Sequence, residues 1–221
     1  MPPLDRVSAP RAQRSDKLGP DPELRRQILA AAATALRESG ARGLSVAAVL
    51  DRAALSTRAF YRHFASKDEL IAAVFLEAAR TERRRLARRM SCAATEAEEV
   101  AAWIDGRLDL AFDASVRSDL RSLSLEAQSQ TFPSPDLVRP AYAEMLKPLS
   151  DAIRRGLGQA VFCGVDPAMG AQFINGVVWE GIAQQWTTSG CDRADLRERV
   201  VRFSLRGLGT NAETIMRICA R

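Results

Sequence analysis

Between Leu55 and Leu70 the chain reads LSTRAFYRHFASKDEL and gathers its only histidine, one of its two tyrosines, two arginines and one of its three lysines. Arg58, Tyr61, Arg62, His63 and Lys67 are all hydrogen-bond donors, and Thr57 adds a hydroxyl beside them. The set is poorly suited to covalent or acid–base catalysis. The single His belongs to this cluster, no Cys has a base beside it, and no Gly-rich phosphate loop occurs. It is well suited to a polyanion. Arg can grip guanine O6 and N7 with two donors, Thr and Tyr can reach phosphates or base edges, and His63 and Lys67 near a helix end can meet phosphates. Taken one at a time, a solvated arginine face or a packed His is the blander account. Taken together, nucleic-acid contact is the better one.

Short helices must position these donors. Residues 46–53 and 57–63 read as two helices separated by Ala54-Leu55-Ser56, with Ser56 capping the second. Two short helices joined by a tight turn outline a helix-turn-helix. Phe60 and Phe64 are four apart and share an inward face, which leaves Thr57, Arg58, Tyr61 and Arg62 for presentation outward.

Helical punctuation continues along the chain. Asp21-Pro22, Ser134-Pro135 and Asp166-Pro167 each pair an N-cap with Pro at the first helical position. Ser66, Thr95 and Thr210 each stand three residues before a Glu, as in a capping box. With apolar residues at helical spacing and no convincing strand, an all-α chain is expected, with further helices near 22–39, 67–90, 96–114, 117–130, 136–158, 167–187, 192–206 and 211–219.

Charge divides the chain. Residues 1–89 carry 18 Lys and Arg against 10 Asp and Glu, whereas residues 90–221 carry 14 against 17. A basic N-terminal module facing phosphates and a near-neutral C-terminal module are the expectation. Residues 1–20, rich in Pro, Arg and Ser, read as a disordered basic tail, either solvated or brushing a DNA backbone. Cys92, Cys163, Cys191 and Cys219 lack metal-site or disulfide-framework spacing, so neither metal nor cofactor is expected. With no signal-peptide core or membrane-spanning run, a cytoplasmic protein without membrane association is expected.

The run LSVAAVLDRAALSTRAFYRHFASKDELIAAVF, Leu44–Phe75, closely resembles the DNA-binding domain of the tetracycline-repressor (TetR) family of bacterial transcription regulators. The resemblance covers residues 22–75: the first helix ending at Ser39-Gly40, a cap at Ser45, the Ala-x-x-Ser turn, Phe60-Tyr61-x-His63-Phe64, and Ser66-Lys67-x-Glu69-Leu70. It implies that Ser45, Thr57, Arg58, Tyr61, Arg62, His63 and Lys67 contact a double-stranded DNA operator. Two departures stand out. Family members usually carry Gly where this chain has Ala54, so a left-handed backbone there would cost on the order of 1 kcal/mol and a slightly reshaped turn is expected. Ala47 replaces a basic residue that some members use on DNA, so their operator code does not transfer.

Beyond residue 75 the resemblance implies a helical domain with an effector cavity and a dimer interface. The expected organisation is a tail at 1–20, a helix-turn-helix domain at 21–66 and an effector and dimerisation domain at 67–221. Trp103, Phe112, Tyr142, Met145, Phe173, Val177 and Trp179 are candidates for a cavity taking a small apolar or amphipathic compound, with plain core as the alternative. Gly176, Gly181, Leu196, Val200 and Phe203 are candidates for a homodimer interface, with intramolecular core as the alternative. The implied function is a homodimeric repressor, bacterial and nucleoid-associated when bound, that is released from a pseudo-palindromic operator by a small molecule. A helical, dimeric ligand-binding protein with weak or lost DNA binding is the other reading.

Overall fold

Helix caps set the architecture seen in the computed structural model, which describes residues 21–113, 116, 118–131, 133–188, 190 and 192–220. The expected tail at 1–20 and Cys191 lie outside the described residues. The described residues form helices α1 (Pro22–Gly43), α2 (Val46–Ala53), α3 (Thr57–Tyr61), α4 (Lys67–Met90), α5 (Glu96–Phe112), α6 (Ser118–Ser129), α7 (Pro135–Gly158), α8 (Pro167–Thr188), α9 (Arg193–Gly207) and α10 (Ala212–Cys219), with no strand among them. Asp21 accepts from the Glu23 N–H, Ser66 from Glu69, Thr95 from Glu98, and Asp166 from Ala168 and Met169. Two expected caps differ. Ser134 makes no side-chain cap bond, and Asn211, not Thr210, caps α10 by accepting from the Thr214 N–H at 2.9 Å.

Helices α1 to α3 close on the start of α4. Ile28, Leu36, Val49, Phe60, Phe64, Leu70 and Ile71 meet in a buried cluster that leaves α3 on the surface. Near the end of α1, Gly40 adopts φ 67°, a left-handed conformation that bends the helix and that L side chains rarely take. The carboxylate of Glu126, on α6, accepts from the Ala41 N–H at 2.8 Å beside this bend.

Helix α4 runs from the α1–α3 layer into the remaining helices, packing on α1, α5, α6 and especially α7. At 1.5 Å per residue its 24 residues span about 36 Å. On the far side of α5, α8 and α9 pack together and α10 folds back on α9. No helix among the described residues is long and apolar enough to cross a membrane.

Candidate nucleic-acid interface and effector chamber

Helix α3 is anchored by two rings and presents the rest. Phe60 and Phe64 are essentially inaccessible, their centroids lie 5.8 Å apart, and the Arg25 guanidinium sits 5.2 Å from the centre of the Phe64 ring. Ser56 caps the helix by accepting from the Ala59 N–H. Thr57, Arg58 and Arg62 are exposed, and Tyr61 is 63% exposed although its ring packs edge-on against Phe60. The Tyr61 ring is thus accessible on the same surface as Thr57, Arg58 and Arg62.

The remaining candidates are held differently. Ser45 is exposed at the N-cap position of α2 but makes no side-chain cap bond. His63 is half-buried, with Nδ1 enclosed and without a hydrogen-bond partner. Lys67 is half-buried and donates from Nζ to the Arg42 carbonyl at 3.3 Å, which ties the start of α4 to the end of α1. Arg52 of α2 is paired with Glu38 at 2.7 Å. The most exposed donor set is therefore Thr57, Arg58, Tyr61 and Arg62.

A second site lies among α4, α5, α6 and α7. A chamber of about 40 Å³ is walled by Phe75, Ala79, Leu123, Ala127, Met145 and Tyr142, with a charged pair at one side. Arg107, 2% exposed, donates from Nη1 to Glu82 Oε1 at 3.0 Å, and Glu82 is equally buried. Arg85 donates to both oxygens of the same carboxylate at 2.8 and 2.9 Å. Behind it, Asp109 receives Arg89 at 2.6 Å and Arg193 at 2.9 Å. Burial pushes the Glu82 carboxyl up, but the hydrogen bonds and charges of Arg85 and Arg107 outweigh it and hold the group below its ordinary value. Burial likewise pushes the Tyr142 phenol up, opposed by its Thr131 contact and by the charge of Arg107.

Residues 28–74 match the family model of bacterial regulatory proteins, tetR family. These residues, 28–74, form a tetR-family segment. The chain superposes on RolR in complex with resorcinol with a TM-score of 0.65 at 18% identity, covering 90% of this chain and 94% of that one. It superposes on FadR from Bacillus subtilis in complex with stearoyl-CoA with a TM-score of 0.63 at 20% identity, covering 82% and 98%. For NemR of E. coli in its reduced form the values are 0.59, 16%, 86% and 99%. At such identities the likeness is one of fold. No curated protein matches the chain.

The TetR-type turn keeps its geometry without the usual glycine. Ala54 adopts φ 54°, ψ 40°, and the Leu55 N–H still reaches the Leu50 carbonyl at 3.0 Å, so the turn is strained in place where reshaping was expected. Ala54→Gly is expected to stabilise the protein by about 0.5–1 kcal/mol, as the relief of the Cβ exceeds the extra freedom of the unfolded chain; urea denaturation would measure it.

The effector candidates separate. Tyr142 and Met145 line the chamber. Trp103 is fully buried core on α5, Phe112 is half-buried against the core, and Trp179 packs edge-on to Trp186 at 5.7 Å. Phe173 and Val177 line an outer groove between α8 and α9 together with Gly176 and Phe203. The dimer candidates also divide. A Cβ on Gly181 would stand 2.9 Å from Leu196, so these two meet between α8 and α9 within one chain, and Val200 is buried within the chain as well. Phe203 and Gly176 lie outside that contact. Sequence reasoning missed Glu82 and Arg107. The available signal was a charged residue in step with apolar neighbours: Glu82 between Ala79 and Leu86, and Arg107 between Trp103 and Leu110.

Proposed function

We propose that this chain is a TetR-family regulator, a homodimeric repressor that binds a pseudo-palindromic operator through residues 57–63 and is released by a small apolar or amphipathic effector. The observation that carries the reading is α3 itself, with two buried phenylalanines beneath an exposed layer of Thr, Arg and Tyr on a family-matched helix-turn-helix. Residues 21–66 act as the DNA-reading unit, and residues 67–221 as the effector and dimerisation unit. Each short helix reads only a few base pairs, whereas two held about 34–36 Å apart read successive major grooves.

The partner is a second copy of the chain, seated on the outer face of α8 and α9. Phe173 and Phe203 are 64% and 65% exposed there and Met169 is 45% exposed, a cluster too apolar to face water by itself. A pair of α8–α9 faces across a two-fold axis makes a four-helix bundle. RolR with resorcinol and FadR with stearoyl-CoA carry organic ligands on the same fold, which supports an effector role for the chamber.

Coupling runs along α4. Its start carries Ser66 and Lys67, and Glu82, further along the same helix, forms part of the chamber wall. An effector that favours a pose with the wrong spacing of recognition helices weakens DNA binding by its differential affinity for the two poses.

Tyr61→Ala and Arg62→Ala are each expected to weaken operator binding by about 1–3 kcal/mol. Lys67→Ala is expected to lower the slope of log affinity against log salt by about one. Band-shift titrations on genomic fragments selected by the protein, at several salt concentrations, measure both. Unchanged affinity in all three variants would remove the proposed contacts.

A further inference from the structure

We infer that the chamber receives a carboxylate, which Arg107 binds through its Nε–H while the rest of the molecule lies against apolar walls. The inference rests on the effector role proposed for this site and adds the chemical class of its ligand.

The Arg107 side chain is only 3% exposed, yet just part of its guanidinium is used. Nη1 donates to Glu82, whereas Nε is enclosed with no hydrogen-bond partner. A buried charged donor without an acceptor is costly, and the cost is recovered when a ligand supplies an oxygen. Glu82 does not supply it: its Oε1 receives Arg107 Nη1 and Arg85, its Oε2 receives Arg85, and Arg107 Nε makes no bond to either.

Charge decides between an anionic oxygen and a neutral one. Arg85, Arg89, Arg107 and Arg193 surround two carboxylates, Glu82 and Asp109. Glu82 is the acidic residue among those lining the chamber. A carboxylate reduces this cationic excess and gives Nε its acceptor; an amide or alcohol does only the second. The other lining side chains, among them Phe75, Leu120, Leu123 and Met145, suit a hydrocarbon or aromatic body.

Size identifies the entry point. At about 40 Å³ the chamber holds a few waters at most, against about 10–15 Å³ for each. Tyr142 also lines an outer cleft of about 410 Å³ with Gln128, Thr131, Val138, Leu146 and Gln172. Its hydroxyl donates to Gln128 Oε1 at 2.6 Å and lies 3.3 Å from Thr131 Oγ1. Turning this one ring joins cleft and chamber, so Tyr142 is the door and Arg107 the anchor behind it.

The test is calorimetric titration of the full chain with two matched probe pairs, phenylacetate against phenylacetamide and hexanoate against hexanamide. At least one carboxylate is expected to bind saturably and at least ten-fold more tightly than its amide. Arg107→Met is expected to remove that preference, weakening the carboxylate at least ten-fold more than the amide; the variant is expected to fold, since Glu82 keeps Arg85. Ala141→Leu, which narrows the chamber and leaves Arg107 in place, is expected to abolish binding of both members of a pair. Equal affinity for acid and amide, no saturable carboxylate binding, or a preference that survives Arg107→Met overturns the inference. Operator binding is measured separately without any probe, so its loss counts against the DNA-binding reading alone, and the titrations by themselves decide the role of Arg107.

Discussion

Phe203→Asp is expected to leave the protein monomeric where the proposed homodimer would otherwise form, and to lower operator affinity about a thousand-fold, while helical content stays unchanged. Phe203 is 65% exposed in the single chain, so within a monomer the substitution removes no buried contact and improves solubility. In a two-fold dimer the same change acts twice. It replaces an apolar anchor on each copy and sets a carboxylate from each against a shared apolar groove formed with Phe173 and Val177. Splitting the dimer discards one of two recognition helices. Specific dimeric sites bind at about 10⁻⁸ to 10⁻¹¹ M, so a lone half-site falls by three or more powers of ten. Sedimentation and band-shift measurements on the same preparation check it. A variant that stays dimeric and binds normally would show that this face is not the interface.

Glu82→Gln is expected to lower stability by about 3–5 kcal/mol. The substitution preserves shape but leaves Arg107 and Arg85 without the carboxylate that both address, and Arg107 is only 2% exposed. For a chain of this length that corresponds to a fall in Tm of about 10 °C. The pH dependence has a definite sign. The folded carboxyl titrates below its ordinary 4.5, so its contribution is complete above that value and is lost as pH falls through the depressed folded value. The gap between parent and variant is therefore expected to be widest near neutrality and to narrow in acid, as urea titrations across pH 3–7 would show.

Helix boundaries and the recognition element were legible because their determinants are local. Pro after Asp21, Ser before Lys67 and Thr before Glu96 act within one helical turn, and the Phe60–Phe64 pair declares its own inward face. Thr210 misled because the neighbouring Asn211 offers a competing acceptor one residue later, and the structure uses that one. The chamber was hidden for a different reason. Arg83, Arg84 and Arg85 are consecutive in the sequence, yet Arg83 faces Glu144, Arg84 faces Thr81, and Arg85 turns inward to Glu82 and Asp109. Which member of such a run turns inward depends on carboxylates that the fold brings from other helices. Phe173 and Leu196 show the same limit: periodicity says that each needs cover, but only the packing of α8 on α9 decides which is covered within the chain and which faces out.

The bend at Gly40 has a further bearing on how news of occupancy travels. Glu126 grips the Ala41 amide, and the next residue, Ala127, is a wall of the chamber. A helix pushed aside by an incoming molecule would thus pull on the bend through this hydrogen bond as well as through the Arg37–Asp119 ion pair that also joins α1 to α6. Replacing the Glu126 carboxylate would loosen this tie while the Arg37–Asp119 pair stays in place.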